Sequence, residues 1–212
     1  MDERRAERRV WLALGGVIAA ITVLGVGSLL RGGSGRESLP VIASVPDFQL
    51  RTSTGRAVSR ADLIGDLWVA DFIFTSCAGV CPVLSARMAE VQKALAERSI
   101  DARLVSITVD PARDSPEALR AYAERFGADP DVWWFLTGER DELYELIGKG
   151  FLLSVAERSP DEAPAGDGHD LITHSDRFVL VDRQGRIRGY YHGTERESVE
   201  TLLDALETLA HG

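Results

Sequence analysis

The two cysteines of the chain, Cys77 and Cys81, are separated by three residues in the segment "TSCAGVCPV". Two thiols this close can exchange with a disulfide, bind a metal ion or form a structural disulfide bond. Thioredoxin-like exchange generally uses two intervening residues rather than three. If the segment is already helical, a spacing of four places both side chains on one helical face. The spacing therefore favours metal binding and leaves redox exchange open.

A metal site needs a further ligand, because two thiolates alone make a poor closed site. The chain has four histidines. His211 is next to the end, His192 follows two tyrosines at a predicted strand end, and His169 lies in an acidic segment. His174 stands directly before a predicted strand, where a loop enters the sheet. It is the strongest candidate for the third ligand, although a lone histidine is more often structural.

The types of ligand limit the choice of metal. Zinc normally takes a fourth protein ligand, and an iron–sulfur cluster needs four thiolates. Soft thiolates with one imidazole suit Cu(I), and the same three ligands can hold Cu(II) with an added oxygen donor. Copper is the metal that this ligand set favours.

The elements on either side of the cysteines indicate how they are positioned. The apolar run "LWVADFIFT", residues 67–75, is typical of a strand buried on both faces. After the cysteines, apolar residues at intervals of three and four predict a helix, and they are Leu84, Met88, Val91 and Leu95. Open α/β sheets usually place function in such a loop at the carboxyl end of a strand. Backbone N–H groups at the helix start are also expected to favour thiolate over thiol.

The rest of the chain alternates predicted strands and helices. Two hairpins are expected, one around residues 46–59 and one around the turn at 182–185. Further strands are predicted at 102–110, 132–138 and 151–155, and helices after Ser115, over 139–150 and after Thr194, which with Glu197 fits a capping box. This order predicts an α/β domain with a mixed sheet. Residues 156–172 are acidic and rich in Pro and Gly, and are expected to form a long surface loop.

The amino-terminal part predicts a membrane anchor. Residues 10–30 carry no charge and are long enough to span a bilayer as a helix, longer than the apolar region of a cleavable signal peptide. Four arginines precede this stretch, which favours a short cytoplasmic tail at residues 1–9. Residues 31–40 are rich in Gly and Ser and are predicted to form a flexible linker. Residues 41–212 would then form an extracytoplasmic domain of a single-pass protein of the inner, cytoplasmic membrane.

The charge of the chain argues against nucleic acid as a partner. The net charge is −9, and without residues 1–30 the remaining 20 basic and 30 acidic side chains give −10. An acidic domain of this kind is repelled by nucleic acid. Cations, small molecules and proteins with a basic face are the expected partners.

Several segments together resemble the Sco/SenC family of membrane-anchored copper proteins. They are "DFIFTSCAGVCP", "SITVDPARDSPEALRAYAERFG", "WWFLTG" and "THSDRFVLVDRQGRIRGYY", and the resemblance covers about residues 45–209. It implies a thioredoxin-like fold in which Cys77, Cys81 and His174 bind copper. It also implies a metallochaperone that takes copper from an upstream donor and delivers it to the CuA site of cytochrome c oxidase subunit II.

The resemblance leaves some questions open. Many family members have an aspartate directly before the histidine, where this chain has Thr173, so Asp176 is considered as an alternative oxygen ligand. Asp110 and Asp114 are expected to shape a turn rather than bind metal. The alternative function is a thiol-disulfide oxidoreductase or thiol peroxidase that uses Cys77 and Cys81 as catalytic thiols. The copper chaperone that the resemblance implies would not itself be an enzyme.

Overall fold

The computed structural model describes residues 39–153 and 175–211. Leu39–Gly212 forms one compact unit. The predicted cytoplasmic tail, the membrane helix at 10–30, most of the linker and the predicted loop at 156–172 lie outside the described residues. Among the helices of the two described ranges, none is long and apolar enough to cross a membrane.

The described residues form a mixed sheet, as the sequence predicts. The strands are β1 (Ala43–Ser44), β2 (Gln49–Thr52), β3 (Ala57–Ser59), β4 (Leu67–Ile73), β5 (Ala102–Thr108), β6 (Trp133–Thr137), β7 (Arg177–Val181) and β8 (Arg186–His192). Their spatial order is β1-β8-β7-β4-β5-β6-β2-β3. Strands β4, β5 and β6 are parallel, and all other pairs are antiparallel. Both predicted hairpins, β2–β3 and β7–β8, are confirmed.

A short 3-10 helix at Arg60–Leu63 joins β3 to β4, and four α-helices connect or follow the strands in the described part of the chain. They are α1 (Val80–Arg98), α2 (Pro116–Arg125), α3 (Arg140–Glu145), which continues into a π-helical turn at Leu146–Gly150, and α4 (Arg196–Ala210). The predicted cap of α2 is confirmed, because the Ser115 hydroxyl accepts a hydrogen bond from the Ala118 N–H at 3.3 Å. The apolar positions predicted for α1 are also confirmed as buried.

Two predicted local features are wrong. Phe151 to Leu153 form no strand, because they follow the π-helical turn and Leu152 adopts a left-handed backbone with a φ of 54°. Thr194 does not cap the last helix, for which Glu195 is the N-cap. The Thr194 hydroxyl points instead toward the Asp176 carboxylate, at 3.4 Å.

Strand β4 lies at the centre of the core. All seven of its residues are buried, as expected for a strand covered on both faces. On one face, the rings of Trp68 and Phe72 contact the ring of Phe151, with centroids 5.9 and 5.0 Å apart and edge-to-face geometry. Phe151 is therefore the last fully buried side chain before residues 154–174, and Leu153 packs against the core only in part.

A buried ion pair attaches the start of the domain to the sheet. Arg188 of β8 donates to the Asp182 carboxylate at 2.8 Å and to the carbonyl oxygen of Pro40 at 3.0 Å. A further nitrogen of the same guanidinium donates to the carbonyl of Leu39. These contacts satisfy a guanidinium that is only 8% exposed. Leu39 and Pro40 are thus held against β8.

We expect Phe151→Ala to lower the free energy of unfolding by about 3–5 kcal/mol, because it leaves a cavity against Trp68 and Phe72. Urea unfolding measures this change. The matched control is Leu152→Ala, because the neighbouring Leu152 is 55% exposed, and its cost should be about 0.5 kcal/mol or less. Equal losses in the two variants would contradict the packing described for Phe151.

Candidate functional site

The two cysteines lie at the carboxyl end of β4, as predicted. Cys77 is in the loop that follows the strand and Cys81 is the second residue of α1. Both are free thiols, 9% and 2% exposed. The Gly79 N–H points at the Cys77 sulfur at 3.4 Å, and the Cys77 N–H donates to the Phe74 carbonyl at 3.2 Å. The loop thus holds two free thiols just beneath the surface.

The environment of Cys81 keeps it protonated. Burial raises the pKa of its thiol, and the neighbouring Cys77 and Asp71 raise this pKa further, while a hydrogen bond from the Phe74 backbone only partly offsets them. The sequence-based expectation that the helix start favours thiolate is therefore wrong for Cys81, because desolvation outweighs the helix. At neutral pH Cys81 is a neutral thiol.

A buried carboxyl group, Asp71, lies on β4 close to the thiols. It is 0% exposed, and among the described residues neither of its oxygens has a hydrogen-bond partner. Burial, the largest cause, raises the pKa of Asp71 to about 7. Sequence reasoning assigned no role to Asp71, yet a charged residue inside an apolar strand was a signal that could have identified it.

Two hydroxyl groups complete the polar cluster beneath the thiols. Ser85 of α1 and Tyr122 of α2 share a buried hydrogen bond of 3.0 Å. Burial raises the pKa of Tyr122, the bond to Ser85 partly lowers it, and Cys81 and Asp71 raise it further. The cluster is therefore neutral at physiological pH apart from Asp71, which titrates near 7.

Asp114 holds Thr75, the second residue after β4, near the start of the cysteine loop. Its carboxylate accepts hydrogen bonds from the hydroxyls of Thr75, at 2.6 Å, and Thr108, at 2.5 Å, and from the Thr75 N–H at 3.2 Å. Burial raises the pKa of Asp114, and these bonds partly lower it. Asp114 thus connects the ends of β4 and β5. This supports the predicted structural role of Asp114, and Asp110 forms a local pair with Arg113 at 3.3 Å.

Strand β7, which follows His174 in the chain, pairs with β4, the strand that leads into the cysteine loop. In the antiparallel register, Ala70 of β4 pairs with Val179 of β7. Continuing this register toward the start of β7 places Asp176 beside Ile73, four residues before Cys77. His174 and His169 themselves lie outside the described residues. The structure therefore describes two of the three predicted ligands, and the third stays a prediction.

Asp176, the alternative oxygen ligand, already has other partners. Its Oδ2 atom lies 2.7 Å from His192 Nδ1, and its Oδ1 atom lies 3.6 Å from Arg177 Nε. Partial burial raises the pKa of Asp176, but the bond and charge of His192 and the charge of Arg177 lower it below its ordinary value overall. His192, expected at the surface, is 38% exposed. Within residues 39–153 and 175–211, no three His, Cys, Asp or Glu side chains form a metal cluster.

Comparison with known proteins gives a consistent family relationship. The family model described as SCO1/SenC matches residues 38–211. A SCO1/SenC family lipoprotein from Bacillus anthracis superimposes with a TM-score of 0.73 at 31% identity, and the match covers 84% of this chain and 99% of that one. This structural similarity between the two proteins confirms the predicted mixed α/β architecture.

Two further solved structures are similar. BsSco, described as a member of the Sco family of cytochrome c oxidase assembly proteins and as having a disulfide switch, has a TM-score of 0.69 at 31% identity, with 81% of this chain and 96% of that chain covered. ScoI from Bradyrhizobium japonicum, solved with copper bound, has a TM-score of 0.64 at 26% identity, with 79% and 99% covered.

The raised pKa of Asp71 predicts a pH-dependent stability in the metal-free, reduced protein. Below about pH 4 both folded and unfolded states bind the proton, and between about 4 and 7 only the folded state does. The contribution of Asp71 to stability is therefore present at low pH and lost as the pH rises to 7. The free energy of unfolding of Asp71→Asn, relative to that of the wild type, should rise by up to about 1.4 kcal/mol per pH unit across this window. Urea unfolding at several pH values measures this difference.

The control for this experiment is Asp101→Asn, which changes an exposed carboxylate. As a surface substitution, it should change the free energy of unfolding by about 0.5 kcal/mol or less. A pH-independent difference for Asp71→Asn would contradict the assignment of a raised pKa to Asp71.

Proposed function

Because the chain belongs to the SCO1/SenC family, we propose that it is a copper chaperone that delivers copper to the CuA site of cytochrome c oxidase subunit II. The observation that carries this proposal is the pair of adjacent free thiols, Cys77 and Cys81, at the carboxyl end of β4. Soft sulfur donors of this kind suit Cu(I). A copper-bound relative and a relative classed with oxidase assembly proteins support the same role.

His174 is the proposed third ligand. The register of β7 against β4 supports this assignment, because it brings the chain that follows His174 to the edge of the sheet that carries the cysteine loop. Two thiolates and one imidazole leave a position open for an incoming donor or acceptor ligand. An open site suits a protein that receives copper and passes it on.

Copper binding at this site has to displace protons. Burial raises the pKa of the Cys81 thiol, so the metal-free form is neutral there. A metal ion binds the thiolate, and binding therefore releases the proton. Charge neutrality in the metal-free state avoids placing two buried negative charges side by side. The affinity for copper should consequently rise with pH.

The location follows from the same proposal. A similar family member is a lipoprotein, which supports a membrane-associated domain outside the cytoplasm. In this chain we propose residues 10–30 as a single-pass anchor in the inner membrane, with the copper-binding domain on the periplasmic side. This location would bring the site close to a membrane-embedded oxidase and to the donor that supplies its copper.

Removing any one of the proposed ligands should abolish tight Cu(I) binding. Competition titration under reducing conditions should give one copper per wild-type protein and a loss of at least about 100-fold in affinity for Cys77→Ala, Cys81→Ala and His174→Ala. His211→Ala is the control and should bind as the wild type does. Full affinity in His174→Ala would contradict the three-ligand site.

Delivery to subunit II can be measured directly. Two equivalents of Cu(I)-loaded protein, mixed with the metal-free soluble domain of subunit II and then treated with a one-electron oxidant, should produce the visible absorption of mixed-valence CuA, and protein carrying Cys77→Ala should not. In a deletion strain, oxidase activity should fall at low copper and recover with added copper or the wild-type gene. Normal CuA formation without this protein at low copper would contradict the proposed delivery.

A second candidate function is thiol-disulfide exchange, favoured by the proximity of the two free thiols and by Asp71. Cys77 is the more exposed thiol and would attack a partner disulfide, and Cys81 would then resolve the mixed disulfide. The two thiols are oxidised to a disulfide, the partner disulfide is reduced to two thiols, and the thiol protons pass to the partner. Asp71, close to Cys81 and with a pKa of about 7, could accept the proton of the resolving thiol.

Trapping separates the two functions. With a disulfide-containing peptide from subunit II, Cys81→Ala should accumulate a mixed disulfide at Cys77, and His174→Ala should reduce the peptide as fast as the wild type does. No trapped species in Cys81→Ala, or a rate that depends on His174, would count against exchange as an independent activity.

A further inference from the structure

The cysteine loop and the start of α1 form a stretch without charge. Residues 72–86 contain no Asp, Glu, Lys or Arg, although 27% of the whole chain is charged. The first turn of α1 contains no acidic residue, whereas each of the other three α-helices in the described residues has at least one. Helix stability alone would favour an acid in the first turn. Its absence from α1 leaves the surface beside the thiols uncharged.

This uncharged stretch includes an apolar surface that begins at Cys77. The Gly79 N–H lies 3.4 Å from the Cys77 sulfur, and a Cβ atom on Gly79 would lie 3.9 Å from the same sulfur. Val80 is the first residue of α1, and Val83 lies on the same helical face, about 4.5 Å further along the helix axis. Val80 is half-buried and Val83 is 45% exposed. We call Gly79, Val80 and Val83 the loop patch.

Val83 differs by its position from the other exposed large apolar side chains. A single exposed apolar residue is ordinary at a protein surface. Val83, however, is two residues after Cys81 in a helix whose inner face is buried through Cys81, Leu84 and Ser85. Its exposed surface is therefore continuous with the thiol site. Among the described residues, the other exposed large apolar side chains lie outside α1 and the cysteine loop, and they are Val41, Ile42, Ile64 and Leu152.

Direct copper transfer requires a partner to touch this surface. An ion that passes from one protein to another is bonded for a moment to ligands of both, and a metal–thiolate bond is only about 2.3 Å long. Cys77 is 9% exposed and Cys81 is 2% exposed. A ligand of the partner can therefore reach the ion only when the partner's surface is in van der Waals contact with the residues that border Cys77. The loop patch is part of that border.

We propose that the loop patch, with Val83 at its outer end, is the surface on which the copper acceptor docks. The partner that fits it is a protein whose own thiolate or imidazole ligands lie on a protruding loop bordered by uncharged, apolar side chains. The centre of a protein–protein contact is depleted of charged residues, and its rim is polar. Arg87, one turn beyond Val83 and paired with Glu90 at 2.8 Å, begins such a rim. The inference rests on the proposed delivery to subunit II and adds the surface that the acceptor contacts.

The transfer itself is an exchange of ligands. Copper remains Cu(I), and each bond from copper to Cys77 or Cys81 that breaks is replaced by a bond to a thiolate or imidazole of the partner. The thiolates left behind take up protons that the partner's thiols or water release. An uncharged border allows the two proteins to exclude water around the ion without burying an unpaired charge.

Val83→Asp tests the docking surface. We expect the second-order rate constant for Cu(I) transfer from the full-length variant to the soluble domain of subunit II to be at least about 10-fold lower than that of the wild type, because docking would bury an unpaired carboxylate. Copper in the re-isolated acceptor, measured at several acceptor concentrations, gives this constant. At saturating acceptor the limiting rate should be unchanged. Cu(I) affinity should stay within about 2-fold, and the metal-free variant should unfold within about 3 °C of the wild type.

Ile64→Asp is the matched control for the change of charge. Ile64 is 44% exposed and lies three residues before β4, at the end of this strand opposite to the cysteine loop. This variant should transfer copper within about 2-fold of the wild-type rate, and so should Val83→Ile, which keeps an apolar side chain in the loop patch. Equal slowing in Ile64→Asp and Val83→Asp would overturn the proposal, because the net charge would then control the encounter.

Val83→Lys tests the chemistry of the partner. An apolar partner surface disfavours either sign of charge, so this variant should be slowed about as much as Val83→Asp. Faster transfer in one variant and slower transfer in the other would overturn the assignment of an uncharged partner surface. Transfer to dithiothreitol, a small uncharged dithiol, should be equally fast in all variants. A defect of Val83→Asp with dithiothreitol would overturn the proposal, because the substitution would then act on the thiols themselves.

The same experiment separates failure of the inference from failure of the proposed function. Transfer from Val83→Asp as fast as from the wild type would overturn the docking surface alone. If that result came with weaker self-association or weaker binding to phosphatidylcholine vesicles, the loop patch would instead contact a second copy or a lipid surface. Absence of transfer from the wild-type protein would overturn the proposed delivery, and the docking surface with it.

Discussion

Burial of β4 on both faces is the constraint on which the rest of the structure depends. A strand with all seven residues buried needs neighbours on both edges and cover on both faces. Parallel pairing with β5 and antiparallel pairing with β7 satisfy its edges. These two pairings bring the start of β7 and the end of β5 to the carboxyl end of β4. The pairing and burial of the apolar strand β4 therefore determine that the polar side chains meet at its carboxyl end.

The same burial determines the character of the thiols. A site of low polarity keeps Cys81 neutral and leaves Asp71 without partners among the described residues, so the metal-free pocket carries little charge. A soft monovalent ion that binds two thiolates there gains strong electrostatic attraction in a medium of low dielectric. The proposed preference for a soft metal would follow from this poor access to water.

The sequence predicted the elements with strong periodicity and missed the contacts between distant segments. The buried strands, both hairpins and α1 follow from apolar patterns of period 2 and 3.6, which are local. Thr194 was misassigned because a capping signature is also local, whereas Asp176 reaches that hydroxyl only through the β7–β8 pairing. Asp71 received no role because its environment depends on helices that are far away in sequence. Cys77 and Cys81 were identifiable because their own spacing carries the signal.

The ion pair at Arg188 has a further consequence for where the domain begins. Because the carbonyls of Leu39 and Pro40 are held on β8, the last two residues of the predicted linker at 31–40 belong to the folded domain. A shortened protein that starts after Pro40 would lose two acceptors of a guanidinium that is only 8% exposed. The ordered domain therefore needs these two residues to satisfy the Arg188 side chain.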